Sequence, residues 1–448
     1  MNSPAPRPTT SSIDKRFIKR GGYTIRIAGL LAATAVCALA TACGPIQTHE
    51  LAQAIPQDQM KDYLADKPQD AQRLYSRVLI EGKRNEALNH MRAGLAAFQL
   101  GDDDNAAKSF DVSLNTIEAI YADNPKAAEA RSLWTKENVK DFKGEPYERA
   151  LAYYYRGLTY MHAGDYENAR ASFRGGILQS TFSYNERFDA DFPLLNFLEG
   201  WAARCSPAGS SGKDSFDVAA KTSPALGAPP TENNVLILAE YGNPPMKVAK
   251  GKSSELLTFQ PGPPSNITRV VIESMADGAK TRTAAFAAAP ASDLFRQAST
   301  RNGRPIDGIL EGKAEFKDAT KTAGSVAMTT GAALMTMSNN SNLQGAGAAL
   351  ALVGMFASMA AEAMRPEADV RAWDNIPGTI AVTTLKASDL QGGGQPLQFE
   401  AVFYDPAGTE VGRKPVKIAT AGQCSLGWVR ARSALDVPDS APGAIARR

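Results

Sequence analysis

The chain has 448 residues, of which 44% are hydrophobic and 21% charged, a composition typical of a globular protein with two or three domains. Its formal net charge is +2, but the first 42 residues carry six basic side chains and one acidic one, which leaves a net charge of −3 on the rest. That balance gives no sign of the basic face that nucleic-acid binding needs, so we expect no nucleic-acid partner.

The N-terminus has the pattern of an export signal. Residues 15–26 are basic, residues 27–39 are apolar, and Ala40, Thr41 and Ala42 are small residues before Cys43. This ending resembles the lipobox of bacterial lipoproteins, in which the cysteine is acylated, for example with palmitate, and the signal peptide is cut before it. We therefore expect residues 1–42 to be a lipoprotein signal peptide and Cys43 to be the lipidation site, which would anchor the protein to a membrane.

The residue after the predicted lipid anchor indicates which membrane holds it. Gly44 stands where an aspartate would favour retention at the inner membrane, so we expect the periplasmic face of the bacterial outer membrane. The alternative is a plain secretory peptide or an uncleaved membrane anchor. Residues 43–70 are polar and interrupted by prolines, which predicts a tether with a short helix.

Residues 71–205 have a helical pattern. Two segments, 85–120 and 147–178, each place small and aromatic residues at nearly the same offsets, as two helices packed around a tight turn require. The recurring residues are Gly94, Phe98, Gly101, Ala106 and Phe110 in the first, and Gly157, Tyr160, Gly164, Ala169 and Phe173 in the second. This spacing resembles the tetratricopeptide repeat (TPR), a 34-residue helical hairpin that mediates protein contacts.

A third hairpin is predicted at 192–205, where Gly200 takes the role of Gly94 and Gly157, with residues 214–221 as its second helix. The alternative is an irregular helical bundle that contains one TPR-like hairpin. Residues 206–232 are rich in Pro, Gly, Ser and Ala, which is typical of a linker between domains.

After this linker the pattern changes to that of strands, so residues 233–435 predict a mixed α/β domain and residues 436–448 a disordered tail. The chain as a whole is then α+β. Strands are predicted at 235–241, 256–260, 267–272, 281–288, 376–385, 397–404 and 410–419, with a helix at 293–299 and a hairpin turn at 405–408.

An Ala/Gly-rich helical hairpin is predicted inside this domain. Residues 322–361 carry no charge, and the polar run 339–342 divides them into two helices. We favour a hairpin that packs on the sheet, because Ala and Gly contribute little transfer free energy to a membrane span. The alternative is a hairpin that inserts into a bilayer.

Several segments together resemble one family of bacterial TPR-containing outer-membrane lipoproteins. The residues that carry this resemblance are Tyr147 to Ala150, Tyr153 to Tyr155, Asn234 to Leu238, Arg304 with Ile306 to Leu310, Asp369 to Trp373, and Ile376 with Pro377. The resemblance implies an envelope location, a helical domain followed by a mixed α/β domain, and a role in cell-envelope or peptidoglycan assembly. It implies no established activity.

The chain offers few side chains for catalysis or metal binding. His49, His90 and His162 lack a cysteine, carboxylate or serine partner at a motif spacing, and no CxxC or cysteine–histidine cluster occurs. We therefore expect no enzyme, no catalytic residue, no metal and no cofactor. Asp369 and Arg371 beside Trp373 predict a junction held by a salt bridge and a buried indole, with a ligand pocket as the alternative.

More residues support a binding function than a catalytic one. The first helix of each TPR-like hairpin would line a groove for an envelope protein of unknown identity. An apolar groove is a liability when exposed, so we expect residues 71–82 to fill part of it. The groove positions are Leu88, Met91, Leu95, Phe98, Gln99, Leu151, Tyr154, Leu158, Met161 and His162.

Two further questions stay open at this point. Cys205 and Cys424 are either a disulfide or two separate buried thiols, and the lack of a spacing signature favours the thiols. The function is either that of a lipid-anchored scaffold that binds a protein partner, or that of a membrane-active or secretion- or pore-associated lipoprotein that inserts residues 322–361.

Overall fold

The computed structural model describes residues 54–122, 141–181, 192–251, 254, 256–276, 281–299, 368–392, 395–396 and 398–437. The predicted signal peptide, Cys43, Arg304 with 306–310, and the hairpin at 322–361 lie outside these residues. So does the predicted tail beyond residue 437. The described part is mixed α+β, with helices in its N-terminal half and a seven-stranded barrel in its C-terminal half.

The described N-terminal half is built of α-helices. They are α1 (Gln57–Leu64), α2 (Gln72–Glu81), α3 (Glu86–Leu100), α4 (Asp103–Ala122), α5 (Pro146–His162), α6 (Tyr166–Thr181), α7 (Pro193–Cys205) and α8 (Lys213–Thr222), and α9 (Leu294–Ser299) lies later, among the strands. Helix α8 lies within the segment predicted as a linker. It is the second helix of the predicted third hairpin.

Three consecutive helix pairs, α3–α4, α5–α6 and α7–α8, share one packing contact. In each, a glycine of the first helix lies against a phenylalanine sixteen residues later in the second. A Cβ atom at Gly157 would lie 2.3 Å from the Phe173 ring, so only glycine allows this approach. The three contacts are Gly94 with Phe110, Gly157 with Phe173 and Gly200 with Phe216.

The strands confirm most of the predicted positions, but β2, β7, β8 and β11 were not predicted. The strands are β1 (Val235–Tyr241), β2 (Met246–Lys250), β3 (Leu256–Gln260), β4 (Arg269–Ala276), β5 (Thr281–Asp293), β6 (Thr379–Leu385), β7 (Gln391–Gly392), β8 (Gln395–Pro396), β9 (Gln398–Tyr404), β10 (Glu410–Ala421) and β11 (Cys424–Arg430). Strands β2 and β3 form one separate hairpin, and β7 and β8 another.

The barrel has the strand order β1-β11-β10-β9-β4-β5-β6, and β6 pairs with β1 to close it. Strands β1 and β11 are parallel, and the other neighbours are antiparallel. Side chains of β1 alternate between the two faces of the wall. Val235, Ile237 and Ala239 belong to the barrel core, whereas Leu236 and Leu238 pack in the core of the helices.

The helices and the outer face of β1 and β11 therefore share one hydrophobic core. This core runs from Ala71 and Leu74 to Trp373, Leu426 and Val437, so the predicted domains 71–205 and 233–435 bury their apolar faces against each other. A sheet with apolar side chains on both faces must be covered on both faces. The helices provide that cover for β1.

A disulfide crosses the same boundary. Cys205 at the end of α7 is bonded to Cys424 at the start of β11, with a Cα–Cα distance of 5.7 Å. Of the two interpretations of these cysteines, the structure therefore shows the disulfide. In the part of the chain that is described, no helix is long and apolar enough to cross a membrane.

Candidate functional site

The predicted groove residues are covered by the chain itself. Two of the ten, Gln99 and His162, are half-buried. The other eight are 0–3% exposed: Leu88, Met91, Leu95, Phe98, Leu151, Tyr154, Leu158 and Met161. The groove is thus closed in this arrangement, and a partner-binding role for these residues stays a prediction.

The expected filler of the groove was the segment 71–82. It forms α2, which packs on the first helix pair, where the Tyr75 hydroxyl lies 3.1 Å from Ser109 Oγ. The barrel also covers part of the groove. The Phe98 ring lies edge-on to Trp428 of β11, with 4.9 Å between their centroids. The local sequence pattern of the groove could not predict that β11 covers it, because β11 lies more than 300 residues further along the chain.

A buried carboxylate stands at the centre of the helix–barrel contact. Glu240 of β1 is 0% exposed and accepts hydrogen bonds from Tyr154 Oη (3.1 Å), Tyr155 Oη (2.9 Å) and Trp428 Nε1 (2.9 Å). The guanidinium of Arg430 lies 3.6 Å away. Burial raises the pKa of Glu240, against the opposing effects of Arg430 and the hydrogen bonds. Buried charge of this kind persists only when it is paired and hydrogen-bonded.

A second buried ion pair joins α5 to the β2–β3 hairpin. The side chains of Glu148 and Lys247 are 0% and 1% exposed, and their charged atoms lie 2.6 Å apart. Glu148 also accepts hydrogen bonds from the backbone N–H groups of Glu145 (2.7 Å) and Trp373 (2.9 Å). Lys247 donates to the carbonyl of Arg371 at 2.7 Å. One carboxylate therefore caps the start of α5 and positions the segment that precedes β6.

The segment before β6 contains the predicted junction. Arg371 and Asp369 form a salt bridge at 2.7 Å, and the Trp373 indole is 1% exposed. Arg92 of α3 binds the next carboxylate, Asp374, through two hydrogen bonds of 2.9 Å each. A planar guanidinium suits such a two-bonded contact. The cluster fills the helix–barrel boundary and belongs to its structure.

Residues 432–437, which we call the docked segment, follow β11 and lie against the helices. The Gln99 amide contacts this segment twice. Its oxygen accepts the Ala434 N–H at 2.6 Å, and its nitrogen donates to Ser433 Oγ at 3.4 Å. Of the ten predicted groove residues, Gln99 is thus the one whose polar group binds a peptide segment in the structure.

Arg73 of α2 holds the end of the docked segment. Its guanidinium donates to the carbonyls of Leu435 and Val437, each at 3.0 Å. The side chains of Ala434 and Val437 are 0% and 4% exposed and belong to the core. The segment is therefore held by main-chain hydrogen bonds and by the apolar side chains of Ala434 and Val437, with Leu435 packed at the edge of the core.

The two histidines in the described residues have structural surroundings. His162 Nδ1 lies 3.0 Å from Asp103 Oδ2, and its ring stacks on Phe98 with 5.1 Å between centroids. Burial lowers the pKa of His90 to about 4. Across the described ranges, no group of three or more His, Cys, Asp and Glu side chains could hold a metal ion.

A cleft of about 450 Å³ opens between the segment after α8 and strand β6. The sequence gives no sign of this cleft, because the Pro-, Gly- and Ala-rich residues that line it have the composition of a linker. Its lining residues are Phe197, Pro224, Ala225, Gly227, Ala228, Pro229, Pro230, Asn233, Val382, Thr383 and Thr384.

Sequence reasoning also missed Glu240, Lys247 and Arg430. A signal was present for Glu240, since it is the one charged residue in the apolar strand 235–241. Lys247 had no comparable signal.

No protein-family model, no curated protein and no solved structure matches this chain.

Proposed function

We propose that this protein is a lipid-anchored scaffold of a bacterial envelope, held at the periplasmic face of the outer membrane through Cys43 and working through protein contacts. The observation that carries the proposal is the disulfide between Cys205 and Cys424. Disulfides persist in the periplasm and are rare in the cytosol, so this bond agrees with the export pattern of the first 42 residues.

The helix pairs support the choice of a scaffold. Three successive pairs repeat the contact of Gly94 with Phe110 at the same spacing, which favours a TPR-like array. Arrays of this kind present continuous helical surfaces to partners. The proposal assigns the protein no catalytic residue, metal or cofactor, and places its work in envelope or peptidoglycan assembly.

The test is the location of the protein with and without its predicted lipid site. The wild-type chain should incorporate labelled palmitate and sediment with outer membranes. The variant Cys43→Ser, exported behind an ordinary signal peptide, should lack the label and appear in the soluble periplasmic fraction. A matched control, Cys37→Ser, should keep both the label and the membrane location.

Two results would contradict the proposal. Recovery of wild-type protein from the cytosol without attached lipid would show that the protein has no lipid anchor. A Cys43→Ser variant that stays in the membrane would favour the alternative hypothesis, in which the protein inserts residues 322–361 into the bilayer.

A further inference from the structure

The docked segment is bound in the manner of a peptide ligand. Gln99 and Arg73 make four hydrogen bonds to residues 433–437, and three of the four reach main-chain atoms. Main-chain contacts provide affinity that depends little on sequence, and side-chain pockets provide specificity. Here Ala434 and Val437 fill the pockets, whereas Asp436 is exposed.

The segment is attached to the rest of the fold through side chains and not through strand pairing. Strand β11 ends at Arg430, and residues 432–437 take part in no strand pairing in the described structure. Two hydrogen bonds join it to the segment before β6: Asn375 Nδ2 donates to the Ala434 carbonyl at 2.7 Å, and Arg432 Nη1 donates to the Asp374 carbonyl at 3.0 Å. Irregular segments held by side-chain contacts open at lower free energy than the sheet to which they are joined.

Its binding site coincides with a predicted contact position. Gln99 is one of the ten groove residues, and it is the one whose polar group is occupied by residues 433–434. The docked segment therefore stands where a partner's segment would contact the first helix pair.

We propose that residues 432–437 are an internal ligand, and that the partner of this scaffold replaces them with its own short segment of the same chemistry. That segment has a serine or similar hydroxyl, then alanine, an apolar residue that packs at the core as Leu435 does, one exposed position and a small branched apolar residue, in the order Ser-Ala-Leu-x-Val. This inference rests on the proposed function for its partner. It specifies the surface, which is the side of α2 and α3 that carries Arg73 and Gln99.

The test is binding of a labelled hexapeptide with the sequence of residues 432–437, Arg-Ser-Ala-Leu-Asp-Val, to the purified full chain in detergent. In the variant Ala434→Arg the fully buried alanine site rejects the internal segment, which leaves the surface free. Fluorescence anisotropy should then show peptide binding at least about tenfold tighter than to the wild-type chain, in which the internal segment competes.

Two controls identify the surface. Adding Gln99→Ala to the Ala434→Arg variant removes two hydrogen bonds and should weaken the peptide by about tenfold. A peptide with arginine in place of its alanine should not bind. Absence of peptide binding to the folded Ala434→Arg variant, or binding that Gln99→Ala leaves unchanged, would overturn the proposal.

A measurement on the wild-type chain decides the case in which Ala434→Arg does not fold. The Ala434 amide, which donates to Gln99, should exchange with deuterium at least about tenfold faster than the amides of β11, because the segment opens alone. Exchange in step with β11 would overturn the proposal. Both assays use purified protein, so a failed localisation test for Cys43 and a failed peptide test are separate results.

Discussion

Two charge clusters on the barrel have the same chemistry in opposite surroundings. Between the barrel and the helices, Glu148 and Lys247 form an ion pair with side chains 0% and 1% exposed. On the outer face of β4, β9 and β10, Arg413 is 34% exposed and contacts Glu273 at 2.9 Å, Glu400 at 2.8 Å and Glu410 at 3.0 Å. The number of ion pairs therefore says little about stability, whereas burial sets the cost of removing one partner of a pair.

The two clusters also differ in what they join. The exposed one links neighbouring strands that are already paired through their backbones. The buried one links elements that no sheet or helix joins, namely α5 and β2, and lies beside the segment 371–374. We therefore expect the buried cluster to govern how the helices and the barrel pack together.

The largest effect should come from breaking the buried pair on one side. Lys247→Met leaves the Glu148 carboxylate buried without its cation, which should lower the free energy of unfolding by about 3–5 kcal/mol. Urea unfolding monitored by circular dichroism measures this. Combining it with Glu148→Gln removes the unpaired charge and should recover part of the loss. A single variant within 1 kcal/mol of wild type, as is typical of exposed pairs, would contradict the comparison.

The disulfide tests the same boundary through a covalent bond. Replacing both Cys205 and Cys424 with serine frees a chain separation of 219 residues and should lower the free energy of unfolding by about 2–4 kcal/mol. The measurement is urea unfolding under non-reducing conditions, with reduced wild type as the matched control. If double variant and oxidised wild type unfold at the same urea concentration, the bond contributes nothing to the boundary.

The pH dependence of stability should differ in sign between two carboxylates, Glu240 at the helix–barrel contact and Glu273 in the cluster around Arg413. Burial raises the folded-state pKa of Glu240 above 4.5, so its contribution is fully present below pH 4.5 and is lost as the pH rises through the raised pKa. Burial also acts to raise the pKa of Glu273, but hydrogen bonds from Arg282 and Arg413 outweigh it and lower the pKa. Its contribution is present above pH 4.5 and lost as the pH falls.

Two matched variants measure these contributions. Glu240→Gln should abolish the fall in stability with rising pH, and Glu273→Gln should abolish the rise. Each change should amount to about 1.4 kcal/mol for every pKa unit by which the folded-state pKa of that carboxyl differs from its unfolded-state pKa. Unfolding free energies from pH 3 to pH 8 provide the test. Changes of the same sign in both variants would show that the two carboxylates have similar surroundings after all.

The smallest effect should come from the exposed cluster. Arg413→Met removes the cation that Glu273, Glu400 and Glu410 share, yet it should lower the free energy of unfolding by only about 1 kcal/mol, because Arg413 is itself partly exposed and Arg282 still pairs with the buried Glu273 at 3.0 Å. The effect should shrink further in 1 M salt. Urea unfolding in low and high salt checks it, and a loss equal to that of Lys247→Met would break the comparison.

Local pattern carried much of the prediction of the fold. The recurrence of Gly94 and Phe110 at Gly157 and Phe173 predicted two helix pairs, and Gly200 indicated the third. Strand β1 was predicted at the bounds it has, 235–241. These features depend on residues close in sequence, whose periodicity reports which face is buried. TPR identity and the lipid anchor stay predictions.

The candidate site was predicted only in part, since it depends on residues far apart in sequence. Gln99 was chosen as a groove residue, but its ligand in the structure is the docked segment, more than 330 residues later. Lys247 lies in a strand that was not predicted, so its pairing with Glu148 had no local sign. The pairing of Cys205 with Cys424 was left open for the same reason.

The sequence by itself determined the helix pairs, most of the strands and the alternation of apolar side chains on β1, because each follows from sterics and burial over a few residues. Only the tertiary structure decided that the sheet closes into a barrel, that the barrel covers the helical groove, and that Glu148 and Glu240 are buried with their cations. Those outcomes depend on which distant surfaces meet, and the free energy of that meeting is shared among contacts that no single segment contains.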